Sequence, residues 1–199
     1  MLMSEPFTVN WSDYYAAMLE RPRHPHYDNL DPHLPNGGDA LDLGCGVGQG
    51  VLHLLSKGFR MTAVDAEQEA LDILQSRLPS RAPVKLICSS FEDLDWKSLG
   101  TFDVVVAHFS LFFLTPSVYA EVWKRVVEAV RPDGLLSVQF LGVNDEWAPR
   151  GYTVQTNEQV EDMLEPFEVL FMDEVDRDGE TAQNVPKHWH VFHVVARKL

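Results

Sequence analysis

Short apolar runs alternate along this chain with stretches of helical period. Leu41–Leu43 closes an apolar run and leads straight into glycines at every second position: Gly44, Gly46, Gly48 and Gly50. Val51, Leu52, Leu54 and Leu55 then follow helical spacing and stop at Gly58, a glycine suited to a helix C-terminus. Phe59–Val64 reads as a second strand that ends at Asp65. Residues Ala66 to Leu78 read as a helix that buries Ala70, Leu71, Leu74 and Leu78. A third strand is predicted over Val84–Cys88 and a fourth over Thr101–His108, whose unbroken apolar run suits a central parallel strand covered on both faces. Thr115-Pro116 opens a helix, with Val118, Val122, Trp123, Val126 and Val130 on its apolar side. Pro132-Asp133-Gly134 turns the chain into a fifth strand, Leu135–Leu141.

The last third is less regular. Gly142 to Gln155 reads as a long loop holding Trp147, Arg150 and Tyr152, and loops of that length are usually functional or disordered. Thr156 and Gln159 have capping-box spacing, and the helix they open ends before Pro166. Phe167–Val175 is a sixth strand, 176–180 an exposed turn, and Lys187–Ala196 a seventh strand pairing back antiparallel. The first forty residues form an aromatic, proline-broken preface. Its one short helix, through Leu19, has Ser12 as the expected N-cap.

Length and charge narrow the classes. The chain's 199 residues suffice for one domain, taken as 1–199 with a preface at 1–38 and a core at 39–199. The formal net charge of −14 repels phosphate backbones and anionic membranes, and no basic run offsets it. Nucleic acid is therefore an unexpected partner, and solubility is the plainer reason for the acidity. Cys45 and Cys88 fit neither a disulfide framework nor a zinc site, which suits a reduced, cytoplasmic setting. Met1–Pro6 does not read as a signal peptide, and no apolar run has membrane-spanning length.

The glycine loop carries the candidate chemistry. Glycines permit positive φ and let a ligand approach the backbone, and the helix that follows aims its free N–H groups at the same place. The loop is not a dinucleotide fingerprint, because no register of Gly-x-Gly-x-x-Gly fits. It is not a P-loop, because no Gly-Lys-Ser/Thr follows. Asp42, at the end of an apolar strand, needs a partner: an amino group on a ligand or loop N–H groups. Asp65 lies about twenty residues beyond the first glycine, where an acid meets ribose hydroxyls in doubly wound folds; it also suits a helix N-cap. A tight turn with no ligand is the plain alternative for the whole loop.

Asp42-Leu43-Gly44-Cys45-Gly46-Val47-Gly48 resembles motif I of the class I S-adenosylmethionine (SAM)-dependent methyltransferases. Within that class, Gln139–Gly142 to Trp147 and the ending Lys187-His188-Trp189-His190 look like small-molecule enzymes similar to tellurite-resistance and thiopurine methyltransferases. The resemblance implies a Rossmann-like three-layer αβα sandwich with a seven-stranded, mostly parallel sheet and an antiparallel last strand. It implies SAM as cofactor and S-adenosylhomocysteine (SAH) as product. Expected around them are Asp42, Gly44, Cys45, Gly46 and Gly48 at the methionine end, and Asp65 and Ala66 at the ribose. Ser90 and Phe91 are expected at the adenine, although the family often has an acid near Ser89 or Ser90. Ala107 lies at the end of the fourth strand, and Tyr15 and Arg21, with Tyr14, form a lid in which Arg21 pairs with the SAM carboxylate. A preface helix packed on the sheet edge, with Arg21 solvated, is the alternative.

The residues after the fourth strand would face the transferred methyl group. His108 is the candidate proton acceptor, or else a core histidine bonded to backbone. Phe109, Phe112 and Trp147 are candidate walls for a small-molecule substrate. Lys187 and His188 would hold an anionic one, unless Trp189 and Phe192 simply pack the strand on its helix face. His188 and His190 share a strand face, but a metal site needs a third ligand that is not evident. A monomer or homodimer is expected. A SAM-sensing protein without catalysis and an NAD-dependent oxidoreductase are the rival readings.

Overall fold

The computed structural model describes residues 10–199. The Met1–Pro6 stretch, read above as no signal peptide, lies outside them. Helix α1 (Trp11–Leu19) is capped by Asn10, whose side chain accepts from Asp13 N at 3.3 Å, and not by Ser12. Arg21–His26 is irregular, as its prolines dictate, and leads into a short α2 (Tyr27–Leu30) and a 3-10 turn, Asp31–His33. Strand β1 (Gly38–Leu43) feeds the glycine loop and α3 (Gln49–Ser56); β2 (Phe59–Asp65) feeds α4 (Gln68–Arg77). β3 (Val84–Cys88), α5 (Trp96–Leu99), β4 (Phe102–Ala107), α6 (Pro116–Ala129) and β5 (Val130–Gly142) follow. The long loop expected after β5 is broken by a 3-10 turn at Ala148–Arg150 and by β6 (Val154–Gln155). α7 (Asn157–Met163) carries both halves of its capping box. β7 (Phe167–Glu180) and β8 (Pro186–Lys198) form a long hairpin.

The strand order is β3-β2-β1-β4-β5-β8-β7, with β6 added alongside β5. β1 to β5 pair in parallel, whereas β8 pairs antiparallel with both β5 and β7. This is the Rossmann-like sheet that the resemblance implies, and its parallel centre is buried on both faces as continuous apolar strands require. Leu41, Leu43, Val105, Ala107 and Phe192 face Trp123 and Val126 of α6. Ala40, Val104 and Val106 face Val51 and Leu54 of α3 and Leu71 and Leu74 of α4.

Two strand boundaries and one face assignment differ most from the sequence pattern. The fifth strand begins at Val130, and Pro132-Asp133-Gly134 is an irregularity within it: Asp133 has φ 61°, and the register with β4 shifts there. Residues 176–180 are strand, because each has a cross-strand partner in β8; the turn is formed by 181–185. Trp189 and Phe192 lie on opposite faces of β8, as strand alternation demands: Trp189 meets Phe109 and Trp147, and Phe192 joins the α6 side.

Candidate active site

The amides of Gly44 and Cys45 both donate to the carbonyl of Val64, at 2.8 and 3.0 Å, which fastens the glycine loop to the tip of β2. Gly44, Gly46 and Gly48 have φ of 75°, 49° and 84°, conformations that cost glycine least. A Cβ on Gly44 would run into Ser110, and one on Gly48 into Leu74. A Cβ on Gly46 would meet nothing within 4 Å, so Gly46 is the loop glycine that faces open space. A Cβ on Gly50 would meet the Tyr27 hydroxyl and the Asp42 carboxylate, which occupy that corner.

Two carboxylates flank the loop. Asp65 Oδ2 accepts from Gly46 N at 2.8 Å and Oδ1 from Glu67 N at 3.0 Å. Burial raises its pKa, and the backbone donors of Glu67, Gly46 and Ala66 pull it back. The N-cap position of α4 is taken by Glu67, so Asp65 lies one turn before the helix. Asp42 is 4% exposed, and burial followed by the charge of Asp65 pushes its pKa up to about 7. Two buried acids in mutual repulsion favour a cation between them.

The preface lies across this corner. Ser12 Oγ donates to Glu69 of α4 at 2.7 Å, and Gln49 Nε2 donates to the carbonyls of Met18 and Arg21 at 2.8 and 3.0 Å. Tyr15 packs on Val47 and Ala70. Burial and then the charge of Asp65 push the Tyr14 phenol up to about 12. Arg21 donates to Thr181 O and to Asn184 Oδ1 at 3.2 and 2.6 Å, so its guanidinium is bound to the turn of the β7–β8 hairpin. At the end of β3, Ser90 Oγ donates to Asp93 at 2.9 Å, Trp96 Nε1 donates to Phe91 O at 2.9 Å, and the Phe91 ring approaches Gly44. Ala107 is fully buried toward α6, which leaves its backbone as the part available to the site.

The exit of β4 turns sharply. Phe109 has φ 51°, unusual for a side-chain-bearing residue, and its N–H donates to Gln139 Oε1 at 3.2 Å. His108 is enclosed beneath the preface, against Tyr27 and His26, with Nε2 2.7 Å from Ser137 Oγ. Burial, then neighbouring imidazoles, hold its pKa well below 6.5. Such a ring is a weak base, and the proton-acceptor role expected of His108 is not what this environment favours.

Beyond Phe109 lies an aromatic wall. Phe113 contacts Trp11, Phe112, Trp147 and Tyr152, and Trp189 contacts Phe109 and Trp147. Lys187 is 3% exposed and sits inside this wall, with Nζ 3.6 Å from the Trp189 ring centroid and 2.6 Å from both oxygens of Asp145. His188 bonds Asp176 and Asp178 on the exposed hairpin, and those carboxylates raise its pKa. The expectation that Lys187 and His188 hold an anionic substrate is therefore corrected, because carboxylates of this chain already pair with both. Among the described residues no group of three or more His, Cys, Asp or Glu is placed to hold a metal ion. Nor is any described helix long and apolar enough to cross a membrane.

Several of these residues carried no local sequence signal. Gln49, Tyr27 and Asp145 meet partners distant in sequence. Gln139 did carry one: a lone amide inside the apolar run of β5.

Comparison with known proteins agrees with this architecture. The family model "Methyltransferase domain" matches residues 40–134, from β1 to the start of β5. YqeM of Bacillus subtilis (strain 168), a methyltransferase by name, is 32% identical over 119 residues, which cover 57% of this chain and 48% of that one. The chain thus spans about half the length of this curated relative. TehB from Haemophilus influenzae superposes with a TM-score of 0.74 at 16% identity, over 95% of this chain and 67% of that one. The 1,6-didemethyltoxoflavin-N1-methyltransferase of Burkholderia thailandensis, solved with 1,6-didemethyltoxoflavin and S-adenosylhomocysteine, superposes with a TM-score of 0.69 at 22% identity, over 100% of this chain and 92% of that one. In motif, in sheet order and over the matched residues 40–134, this chain is similar to the class I SAM-dependent methyltransferases.

Proposed function

We propose that this chain moves a methyl group from SAM to a small-molecule nucleophile by direct in-line displacement, acting as one domain whose described preface, residues 10–38, is its cover. One observation carries the reading: two buried carboxylates, Asp42 and Asp65, flank a left-handed glycine loop whose Gly46 faces open space. This donor set fits an aminoacyl sulfonium nucleoside. Asp42 would take the ammonium, and the lone pairs of Asp65 left by its backbone donors would take the ribose hydroxyls. Gly44, Cys45 and Gly48 shape the loop, Ala66 follows the ribose acid, and Ser90 and Phe91 border the adenine. Tyr14 and Tyr15 close the site from above. Arg21 acts in this reading by holding the preface to the hairpin.

SAM when bound supplies an electrophilic methyl group, so the protein's part is positioning and exclusion of water. The backbone at Ala107 and the ring of Phe109 form the floor, while Phe112 and Trp147 keep the acceptor side dry. His108 positions the β4 exit through Ser137 and removes no proton. The acceptor is thus a group already nucleophilic near neutral pH.

Calorimetry with SAH, joined to transfer of labelled methyl from SAM across a nucleophile panel, tests this. Binding of SAH and labelling of at least one small acceptor are expected. Absence of heat with both SAM and SAH would overturn the assignment, and tight SAH binding without any transfer would favour a sensor.

A further inference from the structure

Several buried polar atoms beneath the preface have no partner in the protein. Gln139 is 1% exposed in the middle of β5. Its Oε1 accepts from Phe109 N, and a backbone N–H only donates, so the oxygen is fixed on that side. Nε2 therefore faces the other way as a donor, and it is unpaired. Also unpaired are Nδ1 of His193, which lies opposite Gln139 in the β5–β8 ladder, Nδ1 of His26 and of His108, and Oγ of Ser110. A buried donor without an acceptor is destabilising, and an apolar residue at position 139 would avoid that.

Gln139 and His193 flank one residue, Phe109, which His108 and Ser110 adjoin in sequence. Phe109 contacts His24, His193 and Trp189 at centroid distances of 5.1, 6.1 and 6.0 Å. Next to it, Ser110 abuts Gly44 of the glycine loop. The unpaired donors thus lie on the acceptor side of the loop. The charges around it are suppressed or matched: burial first, then neighbouring basic groups, hold His24 at about 4 and His26 at about 3, Arg23 pairs with Asp28, and Lys187 with Asp145. The His24 ring stacks on His193 at 5.7 Å with an interplanar angle of 24°. A flat ring is accommodated there.

Resting on the methyltransferase reading above, we propose that the methyl acceptor is a neutral, flat heteroaromatic molecule. It packs on Phe109 and Trp189, and Gln139 Nε2 donates to its carbonyl oxygen or ring nitrogen. Gln139 is then a specificity-determining residue, because a site built to donate a hydrogen bond rejects an isostere that lacks the acceptor.

The test uses the full chain saturated with SAH and follows tryptophan fluorescence. The probes are quinolin-4-one and isoquinolin-1-one, with naphthalene as a control of the same shape. Wild type is expected to bind both ketones about tenfold tighter than naphthalene, as one retained hydrogen bond implies. Gln139→Met should abolish that preference and leave the affinities for naphthalene and SAH unchanged. Gln139→Leu, of similar volume and with no donor, serves if the Met variant does not fold, and should lose the preference likewise. Equal binding of all three probes by wild type, no binding of either ketone, or a preference that survives in the variants would overturn the proposal. Failure to bind SAH would instead sink the methyltransferase reading, and is read separately.

Discussion

The backbone N–H of Gly46 donates to Oδ2 of Asp65 at 2.8 Å, which joins the open glycine of the loop to the acid at the tip of β2. One carboxylate therefore both shapes the loop and, in the proposed function, binds the ribose. Asp65→Ala should raise the SAH dissociation constant about 100-fold and lower the thermal midpoint, because the Gly46 and Glu67 amides lose their acceptor. Calorimetry and thermal unfolding read the two effects. Unchanged SAH affinity would remove Asp65 from the ribose.

The loop glycines should separate binding from folding. Gly46→Ala adds a methyl group toward open space, and its left-handed backbone costs about 1 kcal/mol. Gly48→Ala drives a Cβ into Leu74 in the core and should cost roughly 2 kcal/mol or more. The first variant should stay folded and lose SAH binding. The second should unfold at clearly lower denaturant. Gly46→Ala with normal SAH affinity would place the ligand elsewhere.

The Lys187–Asp145 pair is buried, with side chains 1% and 0% exposed. Asp145 also accepts from Trp147 N and His190 N, so it joins the loop after β5 to β8. Lys187→Met should destabilise by about 3–5 kcal/mol by stranding the carboxylate, and Lys187→Met with Asp145→Leu should recover part of that. Urea unfolding of the three proteins decides it. Equal stability of the single variant and wild type would show the pair to be solvated.

Acidification should destabilise the fold. The folded pKa values of His24 and His26, about 4 and about 3, lie below the ordinary 6.5, so the unfolded chain binds more protons in between. Their contribution is complete above 6.5 and is lost as pH falls toward the folded values, by about 1.4 kcal/mol per pH unit for each histidine. His108 and His193 act in the same sense. Asp42 acts in the opposite sense: its stabilisation is full below 3.8 and is lost as pH rises through about 7. Asp65, also raised, adds to that opposing slope. Four imidazoles against two carboxyls leave a net loss on acidification from 6.5 toward 4. Urea midpoints at roughly pH 7 and pH 5 should show it, and His26→Asn should flatten the slope. A midpoint that rises on acidification would contradict the burial of this cluster.

The sequence by itself determined the parallel core. Strand and helix periods are local properties of apolar spacing. The alternating glycines and Asp65 are likewise legible, because a glycine at a strand–helix junction and an acid at the next strand tip reflect backbone constraints within one βαβ unit. The hairpin was half legible: alternation along β8 set the faces of His188, His190 and His193, but charged residues 176–180 hid the length of β7 until pairing with β8 was seen.

Tertiary structure alone decided the surroundings of Lys187 and His108. Lys187 reads as a free cation in sequence, and becomes a buried counter-ion because the loop after β5 brings Asp145 to it across forty-two residues. His108 reads as a base, and burial under the preface against Tyr27 and His26 lowers its basicity. A side chain's charge and donor capacity are set by what surrounds it in space, and those surroundings come from segments that a local pattern does not relate.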